Sequence, residues 1–248
     1  MSGHSKWSTI KHKKAAADSK RGKIFTRLIK EITIAARSGG DPDSNARLRT
    51  AIAAAKAVSM PAENIKRATM RGTGELEGGE IDEITFEGYT PGGAAVMVEV
   101  ATDNRNRTVS EIRHMFSKNG GNLGEVGSVA WMFDRRSQVM VNASLITEDK
   151  LMEIVLEAGA EDLRSDGETF EVLAPMESHN AVTEALEKAG IATESSQIAM
   201  IPKNMIELSG KDATATMKMM DLLEEHDDVQ NVYSNFDIDD AEMERLNS

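Results

Sequence analysis

The 248-residue chain contains no cysteine, two tryptophans, two tyrosines, five prolines and no long apolar run. Without cysteine there is no disulfide framework, no thiolate metal site and no thiol nucleophile, a composition that suits a reducing cytosol. Without a stretch of about 18 apolar residues there is no expected membrane span. The first residues, MSGHSKWSTIKHKK, are basic but lack the apolar segment of a secretory signal. Lysine outnumbers arginine there and Asp18 interrupts the run, which weakens a mitochondrial presequence as the alternative. The N-x-S/T matches at Asn106 and Asn142 are read as chance, because glycosylation needs secretion. The five histidines, at 4, 12, 114, 179 and 226, show no metal-ligand spacing. The glycines of GYTPGGAA and KNGGNLGEVGS fit neither a phosphate loop nor a dinucleotide fingerprint. The expectation is a protein that is not an enzyme, with no cofactor, no metal and no small-molecule substrate.

What is present is a division of charge. Overall the chain carries −12. Residues 1–71 hold nine lysines and seven arginines against five acids, a net +11, and the rest holds 13 bases against 36 acids, a net −23. One end attracts phosphate and the remainder repels it. The densest stretch is KWSTIKHKKAAADSKRGK, with Lys6, Lys11, Lys13, Lys14, Lys20, Arg21 and Lys23, and with Trp7 and His12 interleaved. Lysines neutralise phosphates and release counterions, and an aromatic plane stacks on an unpaired base. A charge run alone would read as a solvated face; the opposed −23 remainder favours a nucleic-acid contact. Arg47, Arg49, Arg67 and Arg71 extend the basic character. Arg105 and Arg107, in the polar segment Asp103–Thr108, are further candidates for phosphate contact at a helix start. A capping loop, with Asp103 or Thr108 as the cap, explains the same residues equally well.

Periodicity organises the chain. Ile24, Phe25, Leu28, Ile29 and Ile32 form a helical stripe that ends at Gly39-Gly40. A second helix is expected over about 45–58, and a third begins with Ser59 as cap and Pro61 in its first turn. GTGELEGG, residues 72–79, reads as a linker. Residues 94–101 alternate as a strand, a helix follows with Val109, Ile112 and Phe116 on one face, and residues 129–133 read as a strand with Trp131 as core. Then come a strand at about 138–143, a helix at 147–158, strands at about 161–165 and 168–174 joined by Asp166-Gly167, a helix at 178–189 and a strand at 194–201. That βαββαβ order is the ferredoxin-like arrangement. A helix at about 212–225 and a strand at about 229–236 complete the domain begun near Glu80, and 240–248 read as frayed. The acidic run Glu224, Glu225, Asp227, Asp228 reads as a solvated helix end. The fold class is α+β: a helical N-terminal domain plus two ferredoxin-like α/β domains, one inserted in the other. The domains are 1–79, then 80–134 with 205–240, with 135–204 inserted.

Long segments also resemble the YebC-like family of bacterial regulators. They are GHSKWSTIKHKKAAADSKRGKIFTRLIKEITIAAR, GGDPDSNARLRTAI, MPAENIKRA, FEGYTPGGAAVMVEVATDNRNRT, GGNLGEVGSVAWMF and DDVQNVYSNFDI. The match is dense over 2–133 and thin in the middle block. Ser59 and Thr90 stand where the family has Asn and Gly, and FDRRSQ replaces a Lys-Gly turn. The resemblance implies three domains and a cytoplasmic, DNA-binding transcriptional regulator. Because some relatives, including a mitochondrial one, act in translation, it equally admits a ribosome-associated RNA-binding factor. Because the family pattern starts at residue 2, it implies no targeting extension. The expected partners are DNA or ribosomal RNA, with no membrane.

Overall fold

The computed structural model describes residues 17–246, excepting the side chains of 17–21, 240, 244 and 246. Three helices come first: α1 (Ala17–Ala36), α2 (Ala46–Ala57) and α3 (Ala62–Thr73). Ile32, Ala35 and Ala36 meet Leu48, Ala51, Ala55, Ile65 and Ala68 in one small core. Alanine dominates these contacts, so the helices lie close. Gly72 marks the closest point, where a Cβ would sit 2.3 Å from the Thr33 carbonyl oxygen and 2.6 Å from Ala36 Cβ. Residues 72 and 73 therefore belong to α3 and not to the linker, and the helix ends at Gly74 with φ +82°. Asn45 closes the α1–α2 turn. Its side chain accepts from Leu48 N at 3.1 Å and donates to the carbonyls of Ala35 and Gly39.

Ser59 does not cap α3, whose N-cap is Pro61. It lies just past α2 with φ +58°, a left-handed conformation that favours glycine or asparagine over serine. Thr90 is not left-handed.

Two four-stranded antiparallel sheets follow. The first contains β1 (Asp82–Tyr89), β2 (Ala95–Thr102), β3 (Asn122–Leu123) and β9 (Val229–Ser234), in the order β3-β1-β2-β9. Helices α4 (Arg105–Lys118) and α7 (Gly210–Glu225) cover one face. Val96, Val98 and Val100 pack there against Ile112, Phe116, Met219, Met220 and Leu223. The second sheet contains β4 (Phe133–Asn142), β5 (Asp162–Ser165), β6 (Thr169–Ala174) and β7 (Thr193–Pro202), in the order β5-β6-β4-β7. Helices α5 (Glu148–Glu157) and α6 (His179–Lys188) cover it through Leu151, Val155, Val182 and Leu186. This is the expected βαββαβ unit, and Asp166-Gly167 makes the β5–β6 turn, with Asp166 Oδ1 accepting from Glu168 N and Thr169 N.

Both sheets have the same spatial plan. In the first, however, the strand that pairs between edge and centre, β1, comes earliest in the chain and forms a hairpin with β2. Sequence reading missed β1, because its first four residues are largely exposed and carry no apolar alternation. Residues 129–133 are also not a strand. Ala130–Met132 form a 3-10 turn, and β4 starts at Phe133. Trp131 is 65 % exposed, the reverse of the core role expected for it. The uncovered faces of the sheets meet through Ala95, Met97, Phe133, Leu173, Ala199, Ile201 and Tyr233.

Two further short strands, β8 (Ile206–Glu207) and β10 (Phe236–Asp237), pair in parallel. The tail expected to fray forms α8 (Asp240–Leu246), in which Met243 is buried and Glu242 Oε1 accepts from Gly210 N at 2.8 Å. Among the described residues no helix is long and apolar enough to cross a membrane.

Candidate nucleic-acid interface

Lys23, Arg27 and Lys30 recur at i, i+4 and i+7 and so share one face of α1. That face lies on the end of α7. The last turn of a helix leaves carbonyls without intrahelical donors and carries partial negative charge. Lys23 Nζ donates to the Glu225 carbonyl at 2.8 Å, and the Arg27 guanidinium to that of Glu224. Lys30 Nζ reaches the Asp227 carbonyl at 3.2 Å and Asp228 Oδ1 at 2.6 Å. Three cations of the basic segment thus clasp the acidic run, which is not the solvated helix end expected of it. Burial lowers the Arg27 pKa against the opposing pull of Glu224 and Asp227.

Asp228 is the centre of the clasp and is 4 % exposed. Its Oδ2 accepts from Thr108 Oγ1 at 2.7 Å, Arg107 Nη2 at 2.8 Å and Thr102 Oγ1 at 3.1 Å. Burial alone would raise its pKa. The hydrogen bonds from Lys30, Thr108 and Arg107 outweigh burial and hold the carboxyl far below its usual range. One carboxylate therefore ties α1 to the start of α4. His226 supports it: Nδ1 accepts from Asp228 N at 3.1 Å, so Nε2 carries the proton toward Glu111 Oε2 at 2.9 Å. Ligand atoms of Glu111, His226 and Asp228 lie within 4.8 Å of one another. The Lys30 ammonium and the Arg107 guanidinium already supply the positive charge that a metal ion would bring there.

Of the residues expected to contact nucleic acid, Lys6, Trp7, Lys11, His12, Lys13 and Lys14 lie outside the described residues. Lys20 and Arg21 fall on the first turns of α1, with side chains outside the described set. Lys23 and Arg107 belong to the clasp. Arg105 is exposed at the start of α4 and has no ion pair among the described residues. Asn104, and neither Asp103 nor Thr108, caps α4 by accepting from Arg107 N at 3.1 Å. Arg47 is held by Glu31 and Glu83, and Arg49 by the carbonyls of Pro42 and Asp43. Lys56, Lys66 and Arg67 stand exposed on α2 and α3 without ion pairs among the described residues. The structural roles of Arg27 and Lys30 escaped sequence reading. Their spacing was visible, but the partner lay about 200 residues away.

Residues 5–75 match the TACO1/YebC protein N-terminal domain, and residues 81–236 match the TACO1/YebC second and third domain. The chain belongs to the TACO1/YebC family. The two TACO1/YebC matches meet where α3 gives way to β1. A TACO1/YebC relative from Solibacter usitatus (strain Ellin6076) is 68% identical over 246 residues, covering 99% of both chains. One from Koribacter versatilis (strain Ellin345) is 59% identical over 246 residues, again covering 99% of both. Both bear the name probable transcriptional regulatory protein. The crystal structure of a conserved hypothetical protein from Aquifex aeolicus is 46% identical and superposes with a TM-score of 0.83, covering 90% of this chain and 93% of that one. TACO1/YebC membership also confirms the resemblance drawn from the sequence motifs.

Proposed function

We propose that this TACO1/YebC protein is a non-enzymatic, nucleic-acid-binding regulator of gene expression, and specifically a DNA-binding transcriptional regulator. The observation that carries this reading is the +11 charge of residues 1–71, concentrated in Lys6–Lys23 and running directly into α1. The clasp supports it. It fixes α1 through Lys23, Arg27 and Lys30, and Lys20 and Arg21 of the basic run lie on that same helix. The relatives' name, probable transcriptional regulatory protein, points the same way. Lys6, Trp7, Lys11, His12, Lys13, Lys14, Lys20 and Arg21 make the principal contact, and Arg105 extends it. Lys23 and Arg107 contribute at its border while serving the clasp. The lack of a thiol nucleophile and of a phosphate-loop motif in the sequence supports the non-enzymatic part of this reading.

One observation favours a second reading. The −23 remainder repels phosphate, which suits a factor that touches a large RNA surface such as the ribosome with one end only. Crosslinking in cells, followed by sequencing of both DNA and RNA, separates the two. Enrichment at defined DNA sites supports transcriptional control, and crosslinks confined to ribosomal RNA replace it with the translational role. Recovery of neither nucleic acid above background refutes both.

A further inference from the structure

The loop between β3 and β4 presents two large apolar side chains to solvent. Val126 is 90 % exposed and Trp131 65 % exposed. The backbone of this loop is held by a buried carboxylate. Glu87 of β1, only 4 % exposed, accepts the backbone N–H groups of Gly127 at 2.7 Å and of Val129 and Ala130 at 2.8 Å. Burial alone would raise the Glu87 pKa, and these three donors overcome it and leave the group lowered. At Gly124 a Cβ would lie 2.5 Å from Ser128 Oγ, so the loop is tightly wound. Val129 and Phe133, on either side of the turn, are buried between the sheets. The backbone is thereby fixed with Trp131 pointing outward.

The indole is held as well. Its Nε1 donates to the Ser128 carbonyl at 3.1 Å, which also receives the Tyr89 hydroxyl at 3.2 Å. With its one polar edge satisfied, the ring has only its π faces to offer. Lys203 Nζ donates to the Trp131 carbonyl at 3.0 Å and keeps an exposed contact with Asp134 at 3.2 Å. Such a surface pair is weak enough for a phosphate to displace. Asn204, the next residue, is exposed too. A fixed aromatic plane with a cation beside it is the arrangement that stacks a base and meets its backbone. A protein-binding tryptophan instead sits at the centre of a patch that seals out water.

We propose that Trp131 is a stacking platform for an unpaired nucleobase, with Lys203 beside it for the adjoining phosphate. This rests on the nucleic-acid reading above and adds a second contact point, remote in sequence from the basic N-terminal run. It gives the acidic part of the chain a place where a single strand is held by stacking rather than by charge.

The test uses the full chain labelled with 5-fluorotryptophan, whose two ¹⁹F resonances are assigned with the Trp131→Phe variant. Oligothymidylate and oligouridylate of about 12 nucleotides, and a duplex of the same length, are titrated in. The Trp131 resonance shifts with the single strands and not with the duplex, and whichever of DNA or RNA shifts it more is the preferred ligand. Trp131→Ala weakens single-strand binding by about tenfold and leaves duplex binding and the salt dependence unchanged. Trp131→Phe retains most of the affinity. If the chain binds single strands while the Trp131 resonance stays fixed and Trp131→Ala binds like wild type, the platform is refuted. The nucleic-acid reading then survives, and the loop is left as a protein contact. If no oligonucleotide binds the wild-type chain even at low salt, the nucleic-acid reading itself falls.

Discussion

Lys30 Nζ lies 2.6 Å from Asp228 Oδ1, joining residues 198 positions apart, and both side chains are largely buried. This contact seats the basic helix on the acidic end of the sheet domain. Asp228→Ala would leave the Lys30 ammonium and the Arg107 guanidinium without their counter-charge. Removing one partner of a buried pair costs about 3–5 kcal/mol, and the partly exposed Arg107 places this case near about 3 kcal/mol. Hydrogen exchange should show the loss first in α1 and at the start of α4, while β4–β7 keep their protection. Uniform loss of protection would mean that the clasp is not a local tie.

Acid should act in two stages. Burial lowers the His179 pKa, so the folded chain holds a neutral imidazole, with Nδ1 2.8 Å from Ser137 Oγ. A depressed pKa contributes stability that is complete above the ordinary value of 6.5 and lost as pH falls through the folded value. Glu87 and Asp228 are depressed as well, from 4.5 and 3.8, so their contributions persist to lower pH and fade only below those values. Thermal midpoints measured across pH should therefore fall first below about 6.5 and again below about 4. His179→Asn should remove the first fall and spare the second. A midpoint that stays flat down to pH 4 in wild type contradicts the assignment.

Gly72 and Ser59 make opposite predictions. Gly72→Ala forces a methyl onto the Thr33 carbonyl, where backbone must move, and should cost about 3 kcal/mol. Ser59→Gly removes left-handed strain at an exposed site and should gain about 0.5–1 kcal/mol. Differential scanning calorimetry of both variants checks the signs. A stabilising Gly72→Ala would show that α1 and α3 are not in close contact.

We further propose that residues 135–204 fold alone, whereas residues 80–134 need 205–240. The first unit contains its whole helix–sheet core, including Val139, Val172, Leu151 and Leu186. The second draws Met219, Met220, Leu223, Val229 and Val232 from the far end of the chain. Amide spectra of the two fragments decide the matter. Dispersed signals from 80–134 alone would overturn it.

The inserted sheet was legible because its strands alternate and its helices carry apolar stripes, signals that each segment contains in itself. The first sheet was half legible. Val96, Val98 and Val100 declared β2, but β1 begins with exposed acidic residues and is held by pairing with β2 and β3 rather than by its own pattern. Trp131 was misread because apolar character predicts burial, whereas here its outward placement depends on a carboxylate 44 positions earlier gripping the loop. The clasp was illegible for the same reason. Lys23 was read as a nucleic-acid contact and Arg27 and Lys30 entered only the charge sum, and nothing local in the three tells that carbonyls from residues 224–227 will meet them. Only their charge sum pointed correctly to a basic end and an acidic remainder.

The central claim is that the basic N-terminal run binds phosphates. The direct measurement is the affinity of the full chain for duplex DNA and for RNA as a function of salt, in wild type and in the Lys6→Ala, Lys11→Ala, Lys13→Ala, Lys14→Ala quadruple variant. Each lost phosphate contact should reduce the log–log slope by about 0.7–0.9. The account predicts a steep wild-type slope that flattens by about 3 in the variant, with the circular dichroism spectrum unchanged. Equal slopes in the two proteins would contradict it.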